Sequence, residues 1–311
     1  MKYDFKHLLL IGLFGLVLGG SLLMSSAQAA KPLRLVYPNK VCYEPFIIAK
    51  AKGYFAAEGL EVDIKLVGGG ILAAESLMTG AADVAAMGDA PYLIAASRSQ
   101  RVQLLTRYGG GSKMHRLISQ RNISTIKQLE GARVGIQMGS STYGALLAWC
   151  KHVGLNSDKI EFVPLSPLDM PQAMQTGQID AMAGSEPWPS NVESLGGDKV
   201  HELTDFSALN NHFPLVVAAR KEMLSERKGE LVVLTRVLEK AVDFMLEEPA
   251  ETVRILAASI GLPEPQQRKC TYSLTWQVGF DETDRASMAM TANYLKQLGK
   301  IETIPEISVV F

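Results

Sequence analysis

The sequence has few of the residues that usually hold metal ions. Its 311 residues include only three cysteines, Cys42, Cys150 and Cys270, and five histidines. No two cysteines have C-x-x-C spacing, and the histidines form neither an H-x-x-x-H nor an H-E-x-x-H pattern, so no metal site is expected. Because the number of cysteines is odd, at least one thiol is unpaired. Cys150 is expected to be buried in a helix and Cys42 to be exposed in a loop.

The motifs of several common enzyme classes are also missing. There is no G-x-S-x-G nucleophile turn, no G-x-x-x-x-G-K-[ST] loop, and no G-x-G-x-x-G after the first predicted strand. Ser140, Ser141 and Thr142 offer hydroxyl groups, but no motif ties a histidine to them. We therefore expect no enzymatic activity and no cofactor, with hydrolysis or group transfer as the disfavoured alternative.

The sequence has no excess of charge of either sign. Its 31 Lys and Arg residues nearly balance 32 Asp and Glu residues, which gives a net charge of -1. Nucleic acids and acidic membranes attract basic surfaces, so neither is an expected partner. Hydrophobic residues make up 47% of the chain and charged residues 20%. This composition is typical of a folded protein with a sizeable core, in one domain or two.

The first 29 residues have the pattern of a cleaved signal peptide. Lys2 and Lys6 precede an apolar run over residues 8–24, and an A-x-A cleavage motif ends at Ala29. The alternative is a membrane anchor, but a run of about 17 residues is at the short limit for a spanning helix. We therefore expect residues 1–29 to be removed and the rest of the chain to be exported.

A repeated pattern indicates two similar α/β lobes. Residues 67–92 contain three glycines, a segment with helical spacing, the sequence T-G-x-x-D ending at Asp83, and a short apolar run that stops before Asp89. A second T-G-x-x-D ends at Asp180 and is followed by another short apolar run, which stops before Glu186. This internal similarity predicts that each lobe offers a loop at the carboxyl end of a strand.

Short apolar segments alternate with segments of helical spacing along the chain. Strands are predicted at residues 33–37, 60–67, 84–87, 102–107, 116–120, 133–137, 160–165, 181–183 and 213–219. Residues 109–112 are predicted to form a flexible break, and the chain beyond residue 230 is predicted to be mostly helical and to cover the first lobe. This alternation predicts α/β layers built around mostly parallel sheets.

Three turns carry small residues at points where a strand leads into a helix: residues 68–71, 88–91 and 139–142. A helix N-terminus has unpaired N–H groups and a partial positive charge. In open α/β sheets such turns meet in a crevice at the carboxyl ends of the strands, so together they predict a site for an anionic or polar small ligand. For any single turn, an ordinary turn or helix cap is the alternative interpretation.

Several longer motifs resemble one protein family. YEPFIIAKAKGYF at residues 43–55 and EGLEV at residues 58–62 are similar to the opening signature of nitrate/sulfonate/taurine-type periplasmic substrate-binding proteins of ABC importers. The resemblance continues through GDAP at residues 88–91, LEGARVG at residues 129–135 and EPW at residues 186–188. It covers nearly the whole mature chain, and the wider superfamily includes thiamine-precursor binders.

The resemblance implies the two-lobed periplasmic-binding-protein fold of type II. Lobe I would consist of residues 30–110 together with 219–311, and lobe II of residues 111–218, joined by two crossover hinge segments. It also implies a periplasmic location, a monomeric chain, and a permease and an ATPase at the inner membrane as partners. The alternatives are an enzyme on the same fold, similar to pyrimidine synthases, and a ligand sensor for a membrane receptor.

The candidate ligand-binding residues lie in the loops that would face the crevice: Tyr37, Asn39, Tyr43, Glu44, Gly69, Gly70, Ile71, Asp89, Ser140, Ser141, Thr142, Glu186 and Trp188. For several of them, interlobe packing or helix capping is the alternative role. With up to three carboxylates and no arginine expected in the crevice, a bare anion would be disfavoured. A zwitterion such as taurine, with an amine for the acids and a sulfonate for the helix ends, would suit the crevice, and so would a neutral pyrimidine. The ligand class is a small polar or zwitterionic solute: a taurine-like or alkanesulfonate-like solute is the first choice, with nitrate, bicarbonate or a pyrimidine thiamine precursor as alternatives.

Overall fold

The computed structural model describes residues 31–311, so the predicted signal peptide lies outside the described residues. The strands are β1 (Leu33–Tyr37), β2 (Val62–Leu66), β3 (Val84–Gly88), β4 (Val102–Gly110), β5 (His115–Gln120), β6 (Arg133–Ile136), β7 (Glu161–Pro164), β8 (Ala181–Ser185), β9 (Val200–Asp205), β10 (Leu215–Arg220) and β11 (Thr275–Trp276). The helices are α1 (Glu44–Ala51), α2 (Tyr54–Ala57), α3 (Gly70–Met78), α4 (Asp89–Arg98), α5 (Ser141–His152), α6 (Met170–Gln175), α7 (Trp188–Gly196), α8 (Met223–Glu226), α9 (Lys228–Glu247), α10 (Pro249–Ile260), α11 (Glu264–Thr271) and α12 (Glu282–Gln297). The predicted α/β class is confirmed, whereas β9, β11, α2, α8 and α11 are not among the predicted elements.

The strands form two sheets. The first sheet has six strands in the order β11-β4-β10-β3-β1-β2, and the second has five in the order β7-β6-β8-β5-β9. Strands β1, β2 and β3 pair in parallel, as do β6, β7 and β8, because helices connect them. However, β10 lies antiparallel between β3 and β4, and β5 lies antiparallel between β8 and β9. The sheets are therefore mixed rather than mostly parallel, because β5 and β10 each arrive from the other sheet.

Two segments carry the chain between the sheets. One connects β4 to β5 and the other connects β9 to β10, and they meet where the Gly111 N–H donates to the His212 carbonyl at 2.6 Å. Gly109 and Gly110 belong to β4 and pair with β11, so the predicted break at residues 109–112 is wrong for these two positions. Glycine is required there, since a Cβ on Gly109 would lie 2.8 Å from the Trp276 ring. All of β10 pairs in the first sheet, so the expected division at residue 218 falls inside a strand.

The C-terminal helices pack mainly against the first sheet and its helices. Along α9, Leu231, Leu234, Leu238 and Met245 are buried at helical spacing, and α9 packs against α1 and β4. Helix α12 packs against α4 and also against α5. Within residues 31–311, none of the helices combines the length and the apolar character that crossing a bilayer would need.

An Arg–Asp pair ties two strands together in each sheet, and the two pairs have the same geometry. In the first sheet, the backbone N–H and Nε–H of Arg34 donate to one Asp83 oxygen at 3.0 Å, and Nη2–H donates to the other oxygen at 2.6 Å. In the second sheet, Arg133 makes the same three bonds to Asp180, at 2.9, 3.0 and 2.8 Å. The repeated T-G-x-x-D motif of the sequence therefore corresponds to a repeated structural unit.

The two aspartates differ in burial and in their number of partners. The side chain of Asp83 is 6% exposed and also accepts a hydrogen bond from Arg220 at 2.6 Å, whereas that of Asp180 is 33% exposed. Burial alone would raise the pKa of Asp83, but the hydrogen bonds from Arg34 and Arg220 hold that pKa well below its usual range. Asp83 is thus ionised within a cluster of cations that depends on it for neutralisation.

We expect Asp83→Asn to lower the free energy of unfolding by about 3 kcal/mol, because it leaves Arg34 and Arg220 without a buried counter-charge. The matched variant Asp180→Asn removes the same bonds at a solvated position, where a loss of about 1 kcal/mol is expected. Urea denaturation of both variants checks this difference. Equal losses would show that burial of the pair does not set its contribution.

A second buried carboxyl group joins α1 to α11. Oε1 of Glu44 accepts hydrogen bonds from Gln267 Nε2 at 2.5 Å and from Thr271 Oγ1 at 2.9 Å. In the described part of the chain, Oε2 of Glu44 and Oε1 of Gln267 have no hydrogen-bond partner. Burial raises the pKa of Glu44 to about 8, against the lowering effect of the Thr271 and Gln267 hydrogen bonds. If Glu44 is protonated on Oε2, this atom becomes a hydrogen-bond donor beside Gln267 Oε1, and neither oxygen has another partner among residues 31–311.

We expect folding stability to fall as the pH rises from about 4.5 to 8 through Glu44, because the native state retains a proton that the unfolded state has released. Glu44→Gln keeps the shape of the neutral acid and removes the titration. Relative to the parent chain, it should gain about 2–3 kcal/mol between pH 5.5 and pH 8.5, measured by chemical denaturation at both values. A stability difference that does not change with pH would contradict a protonated Glu44.

Candidate functional site

A cavity lies between the two sheets at the carboxyl ends of their strands. Its walls include the loop after β1, the end of β3, the start of β5, the loop after β6, and the end of β8. The volume open to the centre of a water molecule is about 50 Å³. A single water needs roughly 10–15 Å³ by this measure, so the cavity has the size of a small solute.

The residues lining this cavity come from both sheets and from the segments between them: Lys40, Cys42, Tyr43, Gly70, Ile71, Gly88, Pro91, Met114, His115, Gln137, Ser140, Ser141, Thr142, Pro167, Met170, Ala183, Gly184, Ser185, Trp188 and Leu215. Seven of the predicted site residues are among them, namely Tyr43, Gly70, Ile71, Ser140, Ser141, Thr142 and Trp188.

Two helix N-termini reach the cavity. Helix α5 begins at Ser141, and the Ser140 hydroxyl caps it by accepting from the Tyr143 N–H at 3.2 Å. Helix α3 begins at Gly70, where a Cβ would lie 3.2 Å from the Tyr43 hydroxyl. The absence of a side chain at Gly70 leaves the backbone of this turn accessible. Both helix ends place partial positive charge and N–H donors at the cavity.

His115 is a polar group of the cavity that sequence reasoning missed. Its Nδ1 lies 2.9 Å from Thr142 Oγ1, and its ring packs edge-on against Phe213 at 4.6 Å between centroids. Burial, with a smaller effect of the Lys40 charge, lowers the pKa of His115 to about 3, so the ring is neutral. Within residues 31–311, His115 Nε2 and Trp188 Nε1 are buried without a hydrogen-bond partner.

Lys40 was also missed, although it lies in the loop directly after β1. It is half-buried and is the one Lys, Arg, Asp or Glu residue among the described residues lining the cavity. Burial lowers its pKa, against the raising effect of Cys42. The sequence offered one signal for Lys40 and for Gln137, since both follow the carboxyl end of a strand. His115 begins a strand and carried no such signal.

The three predicted acidic site residues do not line the cavity. Asp89 accepts from the Ala90 N–H and from Thr291 Oγ1, each at 2.7 Å. Glu186 accepts from Arg116 Nη1 at 2.7 Å and from the Ser190 N–H at 3.3 Å, and Glu44 bonds to α11 as described above. The expectation that carboxylates line the crevice is therefore wrong: Glu44 and Glu186 turn to partners behind the cavity wall, and Asp89 lies behind Ser141, which lines the cavity and interacts with its carboxyl group.

The remaining predicted residues also lie off the cavity. Tyr37 is buried and stacks on Phe46 with 5.1 Å between ring centroids. Asn39 is exposed and donates to the Ser259 carbonyl at 3.0 Å. Gly69 is not a lining residue either, although a Cβ at this position would lie 3.4 Å from Gln137 Nε2. Tyr37 therefore has the packing role that was the alternative to ligand binding.

Cys42 lines the cavity but is only 3% exposed, so the expectation of an exposed thiol is wrong. Its backbone has a φ of 83°, and its carbonyl accepts from the Tyr108 hydroxyl at 2.9 Å. Burial raises the pKa of the Cys42 thiol to about 12. The thiol is therefore protonated at neutral pH and is a poor nucleophile.

No group of three or more His, Cys, Asp or Glu side chains within residues 31–311 is placed to hold a metal ion. The chemistry of the cavity is that of hydrogen-bond donors and one cation beside apolar walls. Such a site suits an anionic or polar solute.

Comparison with known proteins identifies relatives among periplasmic binding proteins. The chain is 27% identical over 299 residues to the taurine-binding periplasmic protein of Escherichia coli, a match that covers 89% of this chain and 91% of the relative. It is 28% identical over 194 residues to a putative aliphatic sulfonates-binding protein of Escherichia coli, covering 61% of this chain and 60% of that relative.

The structure superposes on the periplasmic aliphatic sulphonate binding protein SsuA from Escherichia coli with a TM-score of 0.78 at 21% identity, covering 90% of this chain and 91% of the other. The predicted periplasmic-binding-protein fold is thereby confirmed. A desulfurization enzyme, DSZB, has a similar fold, with a TM-score of 0.68 at 14% identity and coverage of 88% and 95%. The fold alone thus occurs in a binding protein and in an enzyme.

A family model also matches the sequence. The model of the family described as NMT1/THI5 like matches residues 42–252. This range is more than half of the 311 residues and includes most of the residues that line the cavity. The chain therefore belongs to the NMT1/THI5-like family.

Proposed function

We propose that this chain is the exported solute-binding protein of an ABC importer and that the cavity between its sheets binds a small sulfonate-type anion. The observation that carries the proposal is the lining of the cavity, which combines Lys40 with two helix N-termini and contains no aspartate or glutamate in the described part of the chain. Anions are stabilised where N–H groups and positive charge converge without a competing carboxylate. The taurine-binding and sulfonate-binding relatives support the same ligand class.

The donors available to such an anion come from both sides of the cavity. The second sheet provides Ser140, Ser141 and Thr142 at the start of α5, and the first provides the Gly70 turn and the Tyr43 hydroxyl. A sulfonate has three equivalent oxygens, so it can accept from both sides at once. When the Thr142 hydroxyl donates to His115 Nδ1, the neutral ring carries its proton on Nε2 and offers a further donor.

Binding from both sides implies that the solute holds the two halves of the molecule together. The first sheet with its helices (residues 31–110 and 215–311) and the second sheet with its helices (residues 111–214) would act as lobes, which close by rotation about the two crossover segments. The Ser141 hydroxyl lies 3.3 Å from the Ala90 N–H and so already links the two sides. In the importer, the closed form would deliver its solute to a permease and an ATPase at the inner membrane.

Binding without turnover is favoured over an enzymatic role. An enzyme of the pyrimidine-synthase or desulfurization type would need an activated group in the cavity. The Cys42 thiol, with a pKa raised by burial to about 12, is protonated, and His115, with a pKa lowered to about 3, is bonded to Thr142. The third role, a sensor for a membrane receptor, uses the same binding step and differs only in the partner.

We expect the exported chain to bind methanesulfonate or propane-1-sulfonate with one-to-one stoichiometry in calorimetry, and to release it unchanged by mass spectrometry. Lys40→Met should weaken binding roughly 10- to 100-fold, because a hydrogen bond to a charged group contributes about 1.5–3 kcal/mol. The matched control Lys65→Met removes an exposed lysine from β2 and should leave the affinity unchanged.

Nitrate, bicarbonate and a thiamine-type pyrimidine are the competing solutes to test in the same cell. Tight binding of a neutral pyrimidine that survives Lys40→Met would contradict an anion site. Consumption of the solute during incubation, abolished by Cys42→Ser, would instead support the enzymatic alternative.

A further inference from the structure

A second cavity shares part of its wall with the first one. It has a volume of about 400 Å³ and shares Lys40, Pro167 and Trp188 with the solute cavity. These three shared residues form the boundary between the two spaces. The two spaces therefore lie next to each other, with Lys40 and Trp188 on the wall that they share.

The walls of this second cavity are largely apolar and come from several elements. Leu66 ends β2, Leu168 precedes α6, and Ile260 ends α10, with Val67 and Leu262 beside them. Leu66 is 50% exposed and Leu168 is 67% exposed. Two large aliphatic side chains of the second cavity are thus exposed to solvent, and a ligand with an apolar part would cover them.

The charges around both cavities disfavour a solute with an ammonium group. In the described part of the chain, no aspartate or glutamate lines either cavity, and Lys40 lies where they join. Glu44, Asp89 and Glu186 are engaged by Gln267, Thr291 and Arg116 respectively. An ammonium carried two carbons from a sulfonate would therefore lie near a lysine with no carboxylate to neutralise it.

The size of the first cavity suits the anionic end of a solute and leaves its apolar end to the second cavity. Its volume of about 50 Å³ accommodates an anionic head group and few further atoms. Trp188 lines both spaces, and its buried Nε1 lacks a hydrogen-bond partner in the range 31–311. The head would contact donors, and the tail would contact the indole and the leucines beyond it.

We propose that the solute is an alkanesulfonate whose unbranched apolar tail extends from the donor-lined cavity into the cavity formed by Leu66, Val67, Leu168, Ile260 and Leu262, and that an amine on the tail is selected against. This specificity rests on the proposed function of the first cavity. It assigns the anionic end of the solute to one space and the apolar end to the other.

The test compares taurine with propane-1-sulfonate, which differ only by an ammonium in place of a terminal methyl, and adds methanesulfonate and hexane-1-sulfonate. Calorimetry on the exported chain should show propane-1-sulfonate binding at least tenfold more tightly than taurine. Affinity should increase up to about fourfold for each methylene that enters the second cavity, the factor that corresponds to about 0.8 kcal/mol.

Two variants locate the tail. Leu168→Ser should lower the affinity for hexane-1-sulfonate by about tenfold, because the tail loses an apolar contact. The loss of affinity should grow with the chain length of the sulfonate. The matched control Leu195→Ser changes a leucine that is 58% exposed and lines neither cavity, and it should bind the whole series as the parent chain does.

Taurine binding as tightly as propane-1-sulfonate, or an affinity that does not vary with chain length, would overturn this specificity and leave the anion site standing. If no sulfonate binds at all, the proposed function itself fails. The two failures are therefore distinguishable in the same set of titrations.

Discussion

The alignment of strands within each sheet depends on a carboxylate that is held by an arginine on a neighbouring strand. Asp83 precedes β3 and binds the backbone and side chain of Arg34 on β1, and Asp180 precedes β8 and binds Arg133 on β6 in the same way. Each aspartate also donates its own N–H to the arginine carbonyl, at 2.9 and 2.8 Å. Because a shift of one residue would turn every side chain to the opposite face, these bonds fix which residues end each strand at the cavity.

A second feature of the structure is that its acidic groups are kept away from the solute. Glu186 is neutralised by Arg116, and Asp89 and Glu44 each accept hydrogen bonds from residues of the C-terminal helices, namely Thr291, Gln267 and Thr271. The C-terminal segment therefore does more than cover the first sheet. It supplies hydrogen bonds that turn carboxyl groups away from the cavity, and the potential inside the cavity is then set by Lys40 and the helix N-termini.

The sequence located the backbone of the site better than its side chains. The turns at Gly70 and at Ser140 to Thr142 were predicted because a strand that leads into a helix leaves N–H groups at a known edge of the sheet. The directions of Asp89 and Glu186 were not predictable in the same way. Their partners, Thr291 and Arg116, are 202 and 70 residues away along the chain, and only the folded structure brings them together. The antiparallel direction of β5 and β10 could not be predicted for the same reason, because it depends on the chain crossing from one sheet to the other.

The two sides of the cavity make a close contact where the end of β3 meets the start of α5. A Cβ on Gly88 would lie 2.6 Å from Ser141 Oγ, so glycine at the end of β3 permits the start of α5 to approach this closely. The Ser141 hydroxyl bonds to the Ala90 N–H at 3.3 Å, a long hydrogen bond that stabilises the closed arrangement only weakly. The crossover segments, in contrast, are joined by a 2.6 Å bond between the Gly111 N–H and the His212 carbonyl. In the hinge closure proposed above, an anion that accepts from both sides of the cavity would add the bonds that favour the closed form.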